Sequence, residues 1–441
     1  MRKKLLSTSA LLFSFVIASA QEVKYEEYDL DNGLHVILHQ DKTAPVVVTS
    51  ISYHVGAKDE NPERTGFAHF FEHLLFEGTE NIGRGEWDKI VSSKGGKNNA
   101  TTNDDRTYYY EVFPSNALET GIWLESERLL HPVIEQVGVD TQNEVVKEEK
   151  RLRVDNQPYG NIIAEIKKNL FKEHPYRWTT IGSLDHLDAA TLDEFKAFNK
   201  KFYIPNNAVL VIAGDIEVAK TKKMIQDYFG PIPKGTPITR SFPKEEPITQ
   251  EYTAIAYDAN IQIPAIIACY RTPSFTTRDA RVLDMISTYL SGGNSSKLYK
   301  RLVDDKKMAL AVQAVNLSQE DYGIYALFAL PLGETTLDSL VTEFDAEIKK
   351  LQTQLISEND HQKLLNQFEN QFVNSNSTLE GIAGSLANYY LLYGDTNLIN
   401  TEIDLYQSIT REEIMEVAKK YLGSNQRLLL KYLPEDKKES K

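Results

Sequence analysis

A single cysteine, Cys269, is present in the 441 residues. No intrachain disulfide can therefore form even in an oxidising compartment, and the fold must rest on core burial alone. Cys269 itself, in the apolar run 265–270, reads as a small buried hydrophobe. A basic surplus is lacking too: 49 Lys and Arg stand against 63 Asp and Glu, a formal charge of −14. That balance argues against nucleic acid and anionic membrane as partners and is compatible with cationic peptides. After residue 20 there is no apolar run long enough to span a bilayer, and no cysteine near Ala20 to accept a lipid.

The N-terminus is Met1-Arg2-Lys3-Lys4, a mostly apolar run from Leu5 to Ile17, then Ala18-Ser19-Ala20. This is the order of a secretory signal peptide, with cleavage expected after Ala20 and a periplasmic or extracellular destination. Losing residues 1–20, which carry three cations and no acid, takes the formal charge from −14 to −17. The expected mature protein has no membrane span.

An internal repeat organises the rest. Thr191 to Val211, TLDEFKAFNKKFYIPNNAVLV, aligns without a gap on Thr410 to Leu430, TREEIMEVAKKYLGSNQRLLL. Each copy starts with a Thr that can cap a helix and ends in a short apolar run of strand type. Between the copies, Gly230-Pro-Ile-Pro-Lys-Gly-Thr-Pro, followed by Pro243 and Pro247, can continue neither a helix nor a central strand. Residues 231–250 are thus expected to link an N-terminal domain, 21–230, to a homologous C-terminal domain, 251–441. Strand-like runs at Leu34–Leu38, Val46–Val55, Thr107–Val112 and Val209–Ala213 alternate with helical blocks. The expected class is α+β, each half being helices on a mostly antiparallel sheet.

Chemistry becomes visible in Gly66-Phe-Ala-His69-Phe-Phe-Glu72-His73-Leu-Leu-Phe76. At about 100° per residue, Glu72 lies roughly 60° to one side of His69 and His73 roughly 40° to the other, so all three share one helical stripe. The rest of the helix is apolar nearly all round, so it is expected to be buried, where titratable groups need partners. A zinc ion satisfies two imidazoles, and a catalytic zinc takes a third protein ligand. Glu149 is the candidate. Val145, Val146 and Leu152 define one apolar helical face with Glu149 in its middle, whereas Glu148 points to the polar side. Seven other histidines, His35, His39, His54, His131, His174, His186 and His361, are scattered and read as surface or core residues.

His-x-x-Glu-His is the inverted zinc motif, and the chain resembles the pitrilysin and mitochondrial processing peptidase family of metallopeptidases. The resemblance includes Asn32-Gly33-Leu34, Gly66, Gly78-Thr79, Asn99-Ala100-Thr101, the Glu149 region 76 positions after His73, and His174-Pro-Tyr followed by Ile181-Gly-Ser183. It implies a zinc endopeptidase with one zinc per chain, in which the metal polarises the scissile carbonyl and Glu72 takes a proton from the attacking water. It implies that a peptide substrate adds as a strand beside Asn99, Ala100 and Thr101, with Phe76 lining the substrate pocket. For Phe76, plain core packing is an equally good reading. The two domains would form one half of a clam-shell chamber.

Two departures stand out. Gln142 occupies a position, seven before Glu149, where the family often has a carboxylate. In the second half, Val303 and Leu310 stand where some members have a substrate-contacting Arg and Tyr, and an offset of 219 from the zinc motif lands on Thr288, Ser291 and Gly292. The resemblance therefore implies the catalytic chain of a two-chain enzyme, with a homologous chain supplying the Arg and Tyr, or otherwise a homodimer. The alternatives are a non-catalytic scaffold and a zinc-dependent peptide-binding subunit.

Overall fold

Ala208–Gly214 is apolar throughout and Val46–Tyr53 holds apolar and small hydroxyl side chains but no charge, as suits strands buried on both faces of a sheet, and each of these strands is buried along nearly its whole length. A computed structural model describes residues 22–438; the expected signal peptide lies outside the described residues. The first half contains strands β1 (Glu26–Asp29), β2 (His35–Gln40), β3 (Val46–Tyr53), β4 (Lys97–Thr102), β5 (Thr107–Pro114) and β6 (Ala208–Gly214). Its helices are α1 (Phe67–Leu74), α2 (Trp87–Ser93), α3 (Leu118–Leu130), α4 (Gln136–Lys150), α5 (Ile162–Leu170), α6 (Leu184–Ala189), α7 (Leu192–Phe202) and α8 (Val218–Phe229). The second half contains β7 (Tyr252–Asp258), β8 (Ala265–Pro273), β9 (Ala309–Leu317), β10 (Tyr322–Pro331) and β11 (Leu428–Pro434). Its helices are α9 (Arg278–Ser291), α10 (Leu337–Thr353), α11 (Glu358–Ser375), α12 (Leu379–Asn388), α13 (Leu398–Gln407) and α14 (Arg411–Tyr421).

The sheet orders are β1-β2-β6-β3-β5-β4 and β7-β11-β8-β10-β9. Apart from the added β1 they are the same topology, each with a single parallel pair, β2 with β6 and β7 with β11. The repeat read from the sequence sits on equivalent elements. Thr191 caps α7 and Thr410 caps α14, each in a capping box closed by the acid three residues on, Glu194 and Glu413. β6 and β11 follow. Both halves are thus the expected helices on a mostly antiparallel sheet.

The halves exchange helices. Ala383, Leu386 and Ala387 of α12 pack on Val48, Val209 and Val211 of the first sheet. Reciprocally, Ile166 and Leu170 of α5 pack on Ala265, Ile267 and Leu430 of the second. Each sheet therefore has its own helices on one face and the other half's helix on the opposite face, which explains why β3 and β6 are buried on both faces. Residues 231–250 contain no helix or strand, and Glu245 in this segment accepts the N–H groups of Lys172, Glu173 and His174 at 2.8, 2.7 and 2.7 Å.

A buried ionic cluster ties the first half to the turn between β9 and β10. The Lys58 side chain is 1% exposed, and its Nζ lies 3.0 Å from Asp105, 2.6 Å from Glu320 and 3.2 Å from Asp321. His54 Nε2 adds a contact to Glu320 at 2.8 Å. Burial would raise Glu320 and Asp321, but the imidazoles of His54 and His174 and the Lys58 ammonium outweigh it and hold both below the usual carboxylate range. Because the folded values are depressed, these acids contribute stability that is fully present above their unfolded values near pH 4 and is lost as pH falls through the folded ones. Lys58→Ala would leave three carboxylates around an empty centre, and is expected to lower unfolding free energy by about 3–5 kcal/mol in urea titrations at neutral pH.

Candidate metal centre

Helix α1 begins at Gly66, whose φ of 99° is left-handed and suits glycine. The close approach of Gly182 enforces a second glycine, since a Cβ there would fall 2.3 Å from Gly66 N. The first free N–H groups of the helix are taken by the buried Glu60, which accepts from Gly66 N and Ala68 N at 2.9 Å each. Phe67, Phe70 and Phe71 pack against Phe195 with ring centroids 4.5, 4.8 and 6.2 Å away. These contacts fix the helix so that its one polar stripe, His69, Glu72 and His73, faces a cleft of about 720 Å³.

Glu149, near the end of α4, meets that stripe. Its Oε2 lies 3.0 Å from His73 Nε2 and 3.6 Å from His69 Nε2, and the three potential ligand atoms all fall within 4.8 Å of one another. Neighbouring ligands on a tetrahedral zinc, with bonds of about 2.0–2.2 Å, are roughly 3.3–3.5 Å apart, a value the two distances bracket. Glu149 Oε2 is buried and no hydrogen bond of proper geometry reaches it, as befits an acceptor that faces a cation. The adjacent imidazoles of His69 and His73 hold the Glu149 carboxyl well below the usual range, against the opposing effect of burial. The donor set, two imidazoles and one ionised carboxylate with room for a further ligand, fits zinc. His69 Nδ1 is buried without a partner, so this imidazole lacks the outer hydrogen bond that zinc-binding histidines usually have.

Glu72 is not part of the triad. It lines the same cleft beside His69 and His73, and among the described residues no donor is bonded to its carboxylate. Arg106, which donates to Thr101 Oγ1 at 3.0 Å, is close enough for Glu72 to influence its ionisation. Asn99, Ala100 and Thr101 lie on β4, the edge of the first sheet, and line the cleft. Ala100 N–H donates to Asn99 Oδ1 at 2.9 Å. Phe76 belongs to the core and also borders open space. Its ring packs edge-on against Trp87 and Tyr109, each centroid 5.8 Å away, and it lines an adjoining hollow of about 570 Å³ with Glu72, His73 and Asn99.

The apolar helical face expected around Glu149 is not what the structure holds. Val145, Val146 and Leu152 do not form a buried face: Val146 is fully buried, but Val145 is 43% and Leu152 57% exposed. Helix α4 packs on α1 along a narrow line through Gly138, Val139 and Val146, and the backbone changes to π-type bonding over Arg151–Asp155, which ends that line before Leu152. Glu149 still points inward, its side chain 13% exposed, whereas Glu148 is on the surface with Arg151. Gln142 donates to Glu77 at 2.6 Å. Glu60 and Arg153 were not legible as site residues. Arg153 Nη1 lies 2.6 Å from Glu149 Oε1, leaving Oε2 for the imidazoles; the Glu-x-x-x-Arg spacing was the only signal available.

Residues 35–183 match the family described as Insulinase (Peptidase family M16), and residues 189–368 match the Peptidase M16 inactive domain. The zinc protease PqqE of Helicobacter pylori is 29% identical over 434 residues, covering 96% of this chain and 97% of that protein. The crystal structure of a protease from Helicobacter pylori has a TM-score of 0.88 at 27% identity, over 94% of this chain and 100% of that chain. The periplasmic protease PqqL from Escherichia coli has the same fold, with a TM-score of 0.77 at 18% identity, over 94% of this chain but 48% of the other.

Proposed function

Because the chain belongs to peptidase family M16, we propose that it is a zinc metalloendopeptidase acting on peptides or unfolded polypeptide segments, with His69, His73 and Glu149 as metal ligands and Glu72 as general base. The observation that carries this reading is the buried Glu149 Oε2 converging on two imidazoles beside a Glu72 carboxylate that has no partner among the described residues. A bound zinc ion supplies Lewis acidity at the scissile carbonyl and lowers the pKa of water. Glu72 takes a proton from the attacking water and delivers it to the leaving amine. The edge of β4 aligns the substrate by strand addition, which presents the scissile bond at the end of α1. The test is cleavage of an unfolded polypeptide by the purified protein holding one zinc per chain. Zinc bound without cleavage, under any pairing of chains, would leave a peptide-binding subunit; neither zinc nor cleavage would leave a scaffold.

Two smaller predictions arise from the geometry. Arg153→Ala frees Glu149 Oε1 and is expected to weaken zinc binding by about 10–100-fold in chelator competition. Ala100→Pro removes an N–H that serves no β5 carbonyl, at an edge position where proline is tolerated. It is expected to raise KM for long peptides by about tenfold or more with zinc content unchanged, because it deletes a bond offered to an added strand.

The domain limits we favour are 21–230 and 251–441, and the two together would form half of a clam-shell chamber. The match of this chain to about half of PqqL supports a closed chamber built from two such units. Val303 packs into the core of its own domain and Leu310 is on the surface of β9, so a homologous chain, or else a second copy, would supply the Arg and Tyr. A chain that ran as a monomer and cleaved at full rate alone would contradict this pairing. The N-terminal pattern of residues 1–20 and the periplasmic PqqL support a periplasmic location.

A further inference from the structure

The internal repeat gives the metal centre a counterpart in the second half, and that counterpart is a cavity. Adding the offset of 219 to His69 and Glu149 gives Thr288 on α9 and Phe368 on α11. Both line a half-open hollow of about 370 Å³, within the range of small-ligand pockets. The metal-binding groups have been replaced by different chemistry.

Two carboxylates face the cavity, and only one is neutralised. Glu402 is held in a two-pronged pair by Arg281, at 2.8 and 2.9 Å. Asp284 has neutral donors alone, Asn316 Nδ2 and Tyr406 Oη, both at 2.8 Å. Burial pushes its carboxyl up to about 6, although those hydrogen bonds and the nearby Arg281 work the other way. With Arg281 engaged by Glu402, Asp284 has no ion pair of its own among the described residues.

The walls suit a cation. Phe368 stacks on Tyr406 with centroids 4.6 Å apart, and Tyr389 meets Tyr393 edge-on at 5.6 Å, so four aromatic rings line the same cavity as the carboxylate. Aromatic faces attract desolvated ammonium and guanidinium groups. Asn376 Oδ1, on the same cavity, is buried and has no donor, leaving an acceptor for a ligand with several N–H groups. Two imidazoles and a carboxylate suit a metal; one carboxylate, an open amide oxygen and aromatic rings suit an organic cation.

We propose that this cavity is a second binding site, which holds the guanidinium or ammonium of an arginine or lysine side chain of a polypeptide. The inference does not depend on zinc chemistry at the first site. The excess of acid over base in the chain would draw such ligands to it.

The test is calorimetric titration of the full-length protein with N-acetyl-argininamide and its neutral isostere N-acetyl-citrullinamide, in about 0.15 M salt to suppress unspecific attraction. Saturable binding of one argininamide per chain is expected, with none of the citrulline compound. Asp284→Asn should weaken it by about tenfold or more, as should Ser385→Leu, which fills the cavity without touching its charge. Asp284→Asn keeps the side-chain volume and one acceptor for its two donors; should it not fold, Ser385→Leu alone decides. Equal binding of the two amides, or wild-type affinity in the folded variants, would overturn the proposal. Tighter binding of spermidine than of argininamide would overturn the assignment to a peptide side chain.

Discussion

Glu72→Gln is expected to lower kcat for peptide hydrolysis by about 10²–10⁴-fold while the protein keeps one zinc per chain. The amide is nearly the same size, so packing beside His69 and His73 is retained, but it cannot accept a proton at neutral pH. Metal retention follows from the geometry, because the triad closes without Glu72. Steady-state kinetics with a quenched-fluorescence peptide, paired with metal analysis of the same preparation, checks both halves of the expectation. Loss of zinc in this variant would move Glu72 into the ligand set, and wild-type turnover would remove it from the chemistry.

Glu149→Ala should cost more than a change in proton transfer, because it removes the ligand itself. Zinc affinity is expected to fall by more than about a hundredfold, the upper end for losing only an outer partner of a ligand, and hydrolysis should fall with it. Glu148→Ala is the matched control. Its carboxylate is on the surface beside Arg151 at 3.1 Å, and its loss should change stability by no more than about 0.5 kcal/mol and leave zinc in place. Chelator competition on the two variants separates the adjacent glutamates. If Glu148→Ala lost the metal and Glu149→Ala kept it, the assignment would be reversed.

What could be read beforehand differs from residue to residue for physical reasons. His69, Glu72 and His73 were legible because three polar groups on an otherwise apolar helix have few explanations, and helical spacing alone fixes their common direction. The repeat was legible because the capping box and the strand after it are local patterns, and these became α7–β6 and α14–β11. Glu149 was reached by a partly mistaken route: the apolar face invoked for it includes the exposed Val145 and Leu152. Strand β4 reads Lys-Asn-Asn-Ala-Thr-Thr and carries no apolar alternation, since an edge strand beside a cleft needs none. The exchange of α5 and α12 between the sheets, and the Lys58 cluster, depend on contacts hundreds of residues apart and leave no local trace. The same holds for Glu60, whose capping role appears only when its loop folds over the start of α1.

Everything proposed for the first site depends on His69, His73 and Glu149 holding a single zinc ion. Anomalous diffraction collected on either side of the zinc absorption edge, from crystals of the protein grown with zinc, tests it most directly. One peak per chain is expected, within about 2.0–2.2 Å of the Nε2 atoms of both histidines and of Glu149 Oε2. A peak bound elsewhere on the chain, or no peak at this triad under saturating zinc, would contradict it.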